Sequence, residues 1–206
     1  LPKAKLPDFY GSGALPINYP NEWDKLNGRS GSGIWLHGTP TNNYSRPPLA
    51  SDGCVVLTNP DLEKLLGSVE IGKTPVIIND KVEFVNHTKW DGERLAALKL
   101  VEAWRKDMES KDLTRLLANY SRAFKSQQNE NLNTWFVKSR LPLSDWPDLA
   151  VKLRELTLFR YPGNDNMLVA TFTQDNLSSK NKSSVRKRQY WQKEASGWKI
   201  IFEANI

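Results

Sequence analysis

The character of this chain changes once, near residues 87–91, and that change decides how the chain can be divided. Before it, turn-forming residues alternate with short β-branched runs. After it, apolar residues recur at helical spacing and then at strand spacing. Ala97, Val101, Trp104 and Met108 fall on one face of a helix that Asp91 and Glu93 are suited to begin. Asp112 is placed to cap a second helix, with Leu113, Leu116, Leu117 and Tyr120 on one face and Phe124 beyond. Residues 125–131 are polar and read as a loop. Residues 133–140 predict a third helix, broken before Pro142. Strands are then expected at 154–161, 167–173, 183–194 and 198–202, the first two joined by the Pro162-Gly163-Asn164-Asp165 turn. Helices followed by an antiparallel meander make an α+β pattern. The reading is therefore two domains, 1–87 and 88–206, which a length of 206 residues can supply.

The first part is loop-rich. Residues 1–33 abound in Pro, Gly, Asn and Ser, with one short helix expected near 21–26. Gly-Ile-Trp-Leu-His (33–37) predicts a short buried strand, and Cys-Val-Val-Leu (54–57) a second. Residues 38–53 form a loop long enough to be functional or mobile. Asn59-Pro60-Asp61 opens a short helix that ends by Gly67. Strands are expected at 74–78 and 82–85, around an Asn79-Asp80 turn. His87 reads as a surface residue at the joint.

Composition narrows the class. A 39% hydrophobic fraction with eight tryptophans argues for packed cores rather than disorder. No apolar run approaches the ~20 residues of a membrane span. The chain opens without an initiator Met or an apolar leader, the pattern expected of a trimmed or processed product. Residues 1–87 carry 8 basic and 9 acidic side chains, for −1, and residues 88–206 carry 21 and 14, for +7. Such a half is either a mildly basic solvated surface or an attractor of anionic partners. No aromatic-basic motif of a nucleic-acid fold accompanies it, so nucleic acid is not expected as a partner. One cysteine forms no internal disulfide, and one cysteine with two histidines does not suggest a metal site.

That cysteine, Cys54, follows Gly53 at the start of one expected strand. His37 ends another, 17 positions earlier. A thiol beside an imidazole at neighbouring strand ends has what a cysteine nucleophile needs: a base within reach and free backbone N–H groups at a turn. The N–H groups of Asp52, Gly53 and Cys54 are the candidate oxyanion donors, with Gly53 allowing the turn. A lone cysteine is also commonly a small buried hydrophobe. Arg46 suits a substrate carboxylate or simply solvent. Asp52 suits a turn or a substrate ammonium.

His37-Gly38, a loop, and then Ser51-x-Gly53-Cys54 resemble the signature of the L,D-transpeptidase (YkuD-type) domain. Two positions depart from it, Asp52 where His is usual and Val56 where Arg or Asn is frequent. The family's longer strand-rich segment ahead of this region is absent or much shortened here. The closing hairpin, Tyr190-Trp-Gln-Lys through Gly197-Trp198-Lys-Ile-Ile, together with the element order, resembles the NTF2-like cone. The two together resemble the cell-shape L,D-carboxypeptidases of curved bacteria. The resemblance implies an exported cell-envelope or periplasmic enzyme acting on peptidoglycan tetrapeptide stems, without cofactor. Cys54 would be the nucleophile and His37 the base, oriented by the Gly38 carbonyl. Ser51, Arg46 and Thr39 are candidate substrate contacts. The NTF2-like domain would hold glycan. The alternative is a catalytically inactive protein that binds peptidoglycan or a small ligand through the NTF2-like pocket.

Overall fold

In the computed structural model, which describes residues 7–139, 143 and 145–206, the chain parts into two units between Ile77 and Ile78. The first unit starts with a 3-10 turn at Asp8–Tyr10. Strand β1 (Ala14–Pro16), helix α1 (Glu22–Leu26), strands β2 (Trp35–His37) and β3 (Val55–Val56) and helix α2 (Asn59–Leu66) follow. Each helix start has a side-chain cap. Asn21 Oδ1 accepts from the Asp24 N–H at 3.0 Å and Asp24 Oδ2 accepts from the Asn21 N–H at 3.1 Å, a reciprocal capping box. Thr58 Oγ1 caps α2, with Pro60 in the first turn, where its missing N–H costs nothing.

The three strands order as β1-β2-β3. β1 and β2 are antiparallel, with Ala14 opposite His37; β2 and β3 are parallel, with Leu36 opposite Val55 and His37 opposite Val56. Cys54 thus lies just ahead of its strand.

The strands expected at 74–78 and 82–85 are not formed. Val76, Ile77, Ile78, Val82 and Phe84 are all exposed, and none pairs with another described residue in a sheet. β-branched runs favour strands only where a ladder and a packed face are available, and neither is present here.

The second unit runs α3 (His87–Ser110), α4 (Leu113–Leu117), β4 (Tyr120–Ser126), α5 (Leu132–Ser139), β5 (Ala150–Arg160), β6 (Met167–Leu177), β7 (Lys182–Glu194) and β8 (Gly197–Asn205). Two expectations need correction. α3 starts at His87 rather than Asp91, because Asn86 Oδ1 caps it by accepting from the Lys89 N–H at 2.8 Å. Tyr120 and Phe124 do not extend α4. They lie on β4, which pairs in parallel with β8, so tertiary pairing overrides their helix-compatible spacing. The expected break at Pro142 lies outside the described residues.

The sheet order is β4-β8-β7-β6-β5, antiparallel except for β4 with β8. Helices over a largely antiparallel sheet confirm the α+β class. A bulge bends β5: its register against β6 slips between Arg154 and Thr157, where Glu155 sits at φ +55°. Val101, Trp104 and Met108 of α3 pack with Ala170, Phe172, Trp191 and Ile200 of the sheet. Burying one such tryptophan contributes roughly 4–6 kcal/mol at most.

A polar chain runs through this core. Trp104 Nε1 donates to Tyr120 Oη at 3.1 Å, and Tyr120 donates to Glu203 Oε2 at 3.3 Å. Gln189 Nε2 donates to the same oxygen at 2.9 Å, and Lys187 Nζ meets Glu203 Oε1 at 2.8 Å. The buried carboxylate is therefore both paired and hydrogen-bonded, as a buried charge requires. Among the described residues no helix is long and apolar enough to cross a membrane.

Candidate active site

The parallel pairing of β2 with β3 decides which side chains share a face. His37 stands opposite Val56, and side chains alternate along each strand. Continuing the register back from Val55 sets Cys54 beside Trp35, on the face that His37 also occupies. Strand spacing and rise then separate the Cα atoms of Cys54 and His37 by on the order of 8 Å. Extended in this way, the register places the two residues on one face, two rows apart.

His37 is wholly buried. Its Nδ1 lies 2.6 Å from the Gly38 carbonyl oxygen. A carbonyl only accepts, so Nδ1 carries the hydrogen. In the neutral ring Nε2 is then the acceptor, and Nε2 is buried with no partner among the described residues. An orphaned buried nitrogen is costly, so its presence calls for an explanation, and a catalytic role is one. The ring is held by aromatic contacts. Tyr10 meets it edge-on at 5.2 Å between centroids and Phe9 lies at 5.6 Å. Tyr10 in turn stacks on Trp35 at 5.2 Å. The Arg46 guanidinium lies over Phe9, 4.4 Å from its centroid, which sets this cation one ring away from His37.

The half-buried Cys54 is not hydrogen-bonded to the imidazole here. Its thiol donates to the Gly33 carbonyl at 3.5 Å. Ser51 Oγ donates to the Cys54 carbonyl at 2.7 Å and closes the turn ahead of β3. Gly53 takes φ +109°, a conformation that calls for glycine, whereas a Cβ there would meet only the movable end of the Ile34 side chain, Cδ1 at 2.8 Å. None of the N–H groups of Asp52, Gly53 and Cys54 donates to another described residue. The Asp52 side chain is exposed. Thr39 is wholly buried, its hydroxyl donating to the Asn43 carbonyl at 2.7 Å. It shapes the loop and does not face solvent.

The structure thus brings His37, Gly38, Arg46, Phe9 and Tyr10 together, with Cys54 on the same sheet face. Phe9, Tyr10 and Asn59 have no functional reading in the sequence. The first two lie in a turn-rich opening that shows no period, and Asn59 reads there only as the start of a helix. The single available signal is the pair of adjacent aromatics in an otherwise polar stretch.

Comparison with known proteins bears on both units. Residues 2–78 match the family described as the L,D-transpeptidase catalytic domain (YkuD). Residues 96–204 match the Cds6 C-terminal NTF2-like domain. Among solved structures, Bd1075 of Bdellovibrio bacteriovorus is 30% identical, with a TM-score of 0.82 over 100% of this chain and 75% of that one. The helical cell shape determining protein Pgp2 from Campylobacter jejuni is 23% identical, with a TM-score of 0.71 over 95% of this chain and 69% of that one, a likeness of fold. No match is found among the curated proteins.

Proposed function

Because the chain belongs to the family that joins an L,D-transpeptidase (YkuD) domain to a Cds6-type NTF2-like domain, we propose that it is a cysteine-dependent peptidoglycan-modifying enzyme of the cell envelope. The reaction is L,D-transpeptidation or L,D-carboxypeptidation of tetrapeptide stems, in the periplasm. One observation carries the reading. The only cysteine shares a sheet face with an imidazole whose Nδ1 is committed to a carbonyl and whose Nε2 is buried without a partner.

The steps follow from those groups. Cys54 Sγ gives its proton to His37 Nε2 as sulfur attacks the carbonyl carbon before the terminal D-Ala. The new oxyanion takes hydrogen bonds from the free N–H groups of the 52–54 turn. The imidazolium returns its proton to the departing amine of D-Ala, and the C–N bond breaks to leave a thioester. Water then releases the stem with its acid, or a second amine takes the acyl group. The thiol must rotate away from Gly33 to reach the ring. Such catalytic hydrogen bonds often close only in the substrate complex. Arg46, beyond Phe9, is suited to a stem carboxylate.

Glycan contact by the second unit is supported by a cavity of about 760 Å³ whose lining includes Trp90, Leu156, Leu158, Arg160 and Trp198. That size suits a ligand, and aromatic faces beside cations suit a sugar or an anionic group. This cavity also supports the alternative, a protein that binds peptidoglycan without altering it.

The test is to incubate the chain with disaccharide-tetrapeptides and separate the products by mass. D-Ala release or exchange is expected from the unaltered chain, with loss of at least 10³-fold, on the order seen for catalytic nucleophiles, in Cys54→Ala. Unchanged muropeptides with retained peptidoglycan binding would favour the alternative.

A further inference from the structure

The orphaned Nε2 of His37 depends on which ring nitrogen holds the hydrogen, and that is decided by the Gly38 carbonyl. The carbonyl of Gly38 and the N–H of Thr39 belong to one planar trans peptide unit, so they point in opposite directions. The Thr39 N–H donates to Asn59 Oδ1 at 3.2 Å. The peptide is therefore gripped at both ends, by a side-chain amide on one side and by an imidazole on the other.

Asn59 is itself held firmly. Its Oδ1 also accepts from the Ser12 N–H at 2.9 Å, and its Nδ2 donates to the Thr39 carbonyl at 2.9 Å. The Gly38 N–H donates to the Tyr10 carbonyl at 3.1 Å, which fixes the preceding peptide as well. Gly11 and Gly38 both leave room for this amide: a Cβ on either would lie 2.1 Å from Asn59 Oδ1. The backbone closes round the amide with no slack.

We propose that Asn59 is a positioning residue that sets the tautomer of His37 through the 38–39 peptide. By accepting from the Thr39 N–H, it turns the Gly38 carbonyl toward Nδ1 and polarises it. The Nδ1–H tautomer is thereby selected, and the Nε2 lone pair is left for the thiol. Without Asn59 the Thr39 N–H needs another acceptor, the peptide is free to rotate, and the ring no longer has one preferred tautomer. The importance of this for catalysis rests on His37 being the base; the tautomer claim itself does not.

The experiment is 15N NMR of the full chain, labelled at histidine, above the ring's titration, with His87→Gln used to assign the two rings. The unaltered chain is expected to show His37 as Nδ1–H with an unprotonated Nε2. Asn59→Ala is expected to give a mixture of tautomers and a Cys54 alkylation rate at neutral pH roughly tenfold lower, about one hydrogen bond's worth. Asn59→Asp keeps an oxygen acceptor for Thr39 and is expected to retain the single tautomer. A folded Asn59→Ala chain with an unchanged tautomer overturns the proposal. So does tautomer loss in Asn59→Asp, which also decides the matter should Asn59→Ala fail to fold. If the tautomer responds as expected while the unaltered chain leaves muropeptides intact, the positioning role stands and the enzymatic reading falls.

Discussion

Gly38 and Asn59 approach so closely that a methyl group added to the glycine would stand 2.1 Å from Asn59 Oδ1. The same methyl would lie 3.2 Å from both the Ser12 nitrogen and the Tyr10 oxygen, which are backbone atoms with little room to yield. Gly38→Ala is therefore expected to destabilise the first unit by about 1–3 kcal/mol, the usual cost of overpacking. Urea unfolding followed by the fluorescence of the first unit's tryptophans checks this. Unchanged stability would mean that the amide is mobile.

Gly92 presents the opposite case. It lies inside α3, with nothing within 4 Å of where its Cβ would be. Gly92→Ala removes backbone freedom from the unfolded chain without a clash. It should raise the stability of the second unit by about 0.5–1 kcal/mol, seen as a higher unfolding midpoint.

The buried pair of Lys187 and Glu203 makes a third test. Their side chains are 5% and 2% exposed. Lys187→Met would take away the ammonium that meets the carboxylate at 2.8 Å while leaving its Gln189 and Tyr120 donors. The expected loss is about 3 kcal/mol, and Glu203→Gln in the same chain should restore a large part of it. Equal losses in the single and double variants would contradict the pairing argument.

Acid should weaken the edge of the second sheet. The Arg154 guanidinium, hydrogen-bonded to Asp175 at 2.6 Å, and the Ser184 hydroxyl at 2.7 Å hold the Asp175 carboxyl down at about 2. The folded value lies below the ordinary 3.8, so the contribution is complete above about pH 4 and is lost as pH falls toward 2. Arg154 is about half exposed, so solvent screens the pair and keeps the effect small. Asp175→Asn should lower stability at pH 6, and the difference from the unaltered chain should shrink as pH falls from 4 to 2, measured by thermal unfolding across that range.

How much of this the sequence discloses depends on the range of the forces involved. The apolar stripe of Ala97, Val101, Trp104 and Met108 is a local pattern, and it is legible. The strands of the meander alternate clearly for the same reason. Tyr120 and Phe124 are misread because their four-residue spacing suits a helix equally well, and only pairing with distant β8 decides. The run at 74–78 has every local mark of a strand but pairs with no strand among the described residues. At the site, His37 and Cys54 stand out by rarity. Asn59 does not, since its hydrogen bonds reach back 20 residues to Thr39 and 47 to Ser12. A polar side chain that serves distant backbone leaves no mark in its own neighbourhood.

The central claim is that Cys54 carries an acyl group from a peptidoglycan stem. Intact-mass analysis of the chain, quenched in acid during turnover of a disaccharide-tetrapeptide, tests it most directly. The account predicts an adduct equal to the stem less D-Ala, mapped to Cys54, labile to hydroxylamine and absent from Cys54→Ala. A chain that turns the substrate over with no adduct at Cys54, or with undiminished activity in Cys54→Ala, would contradict it.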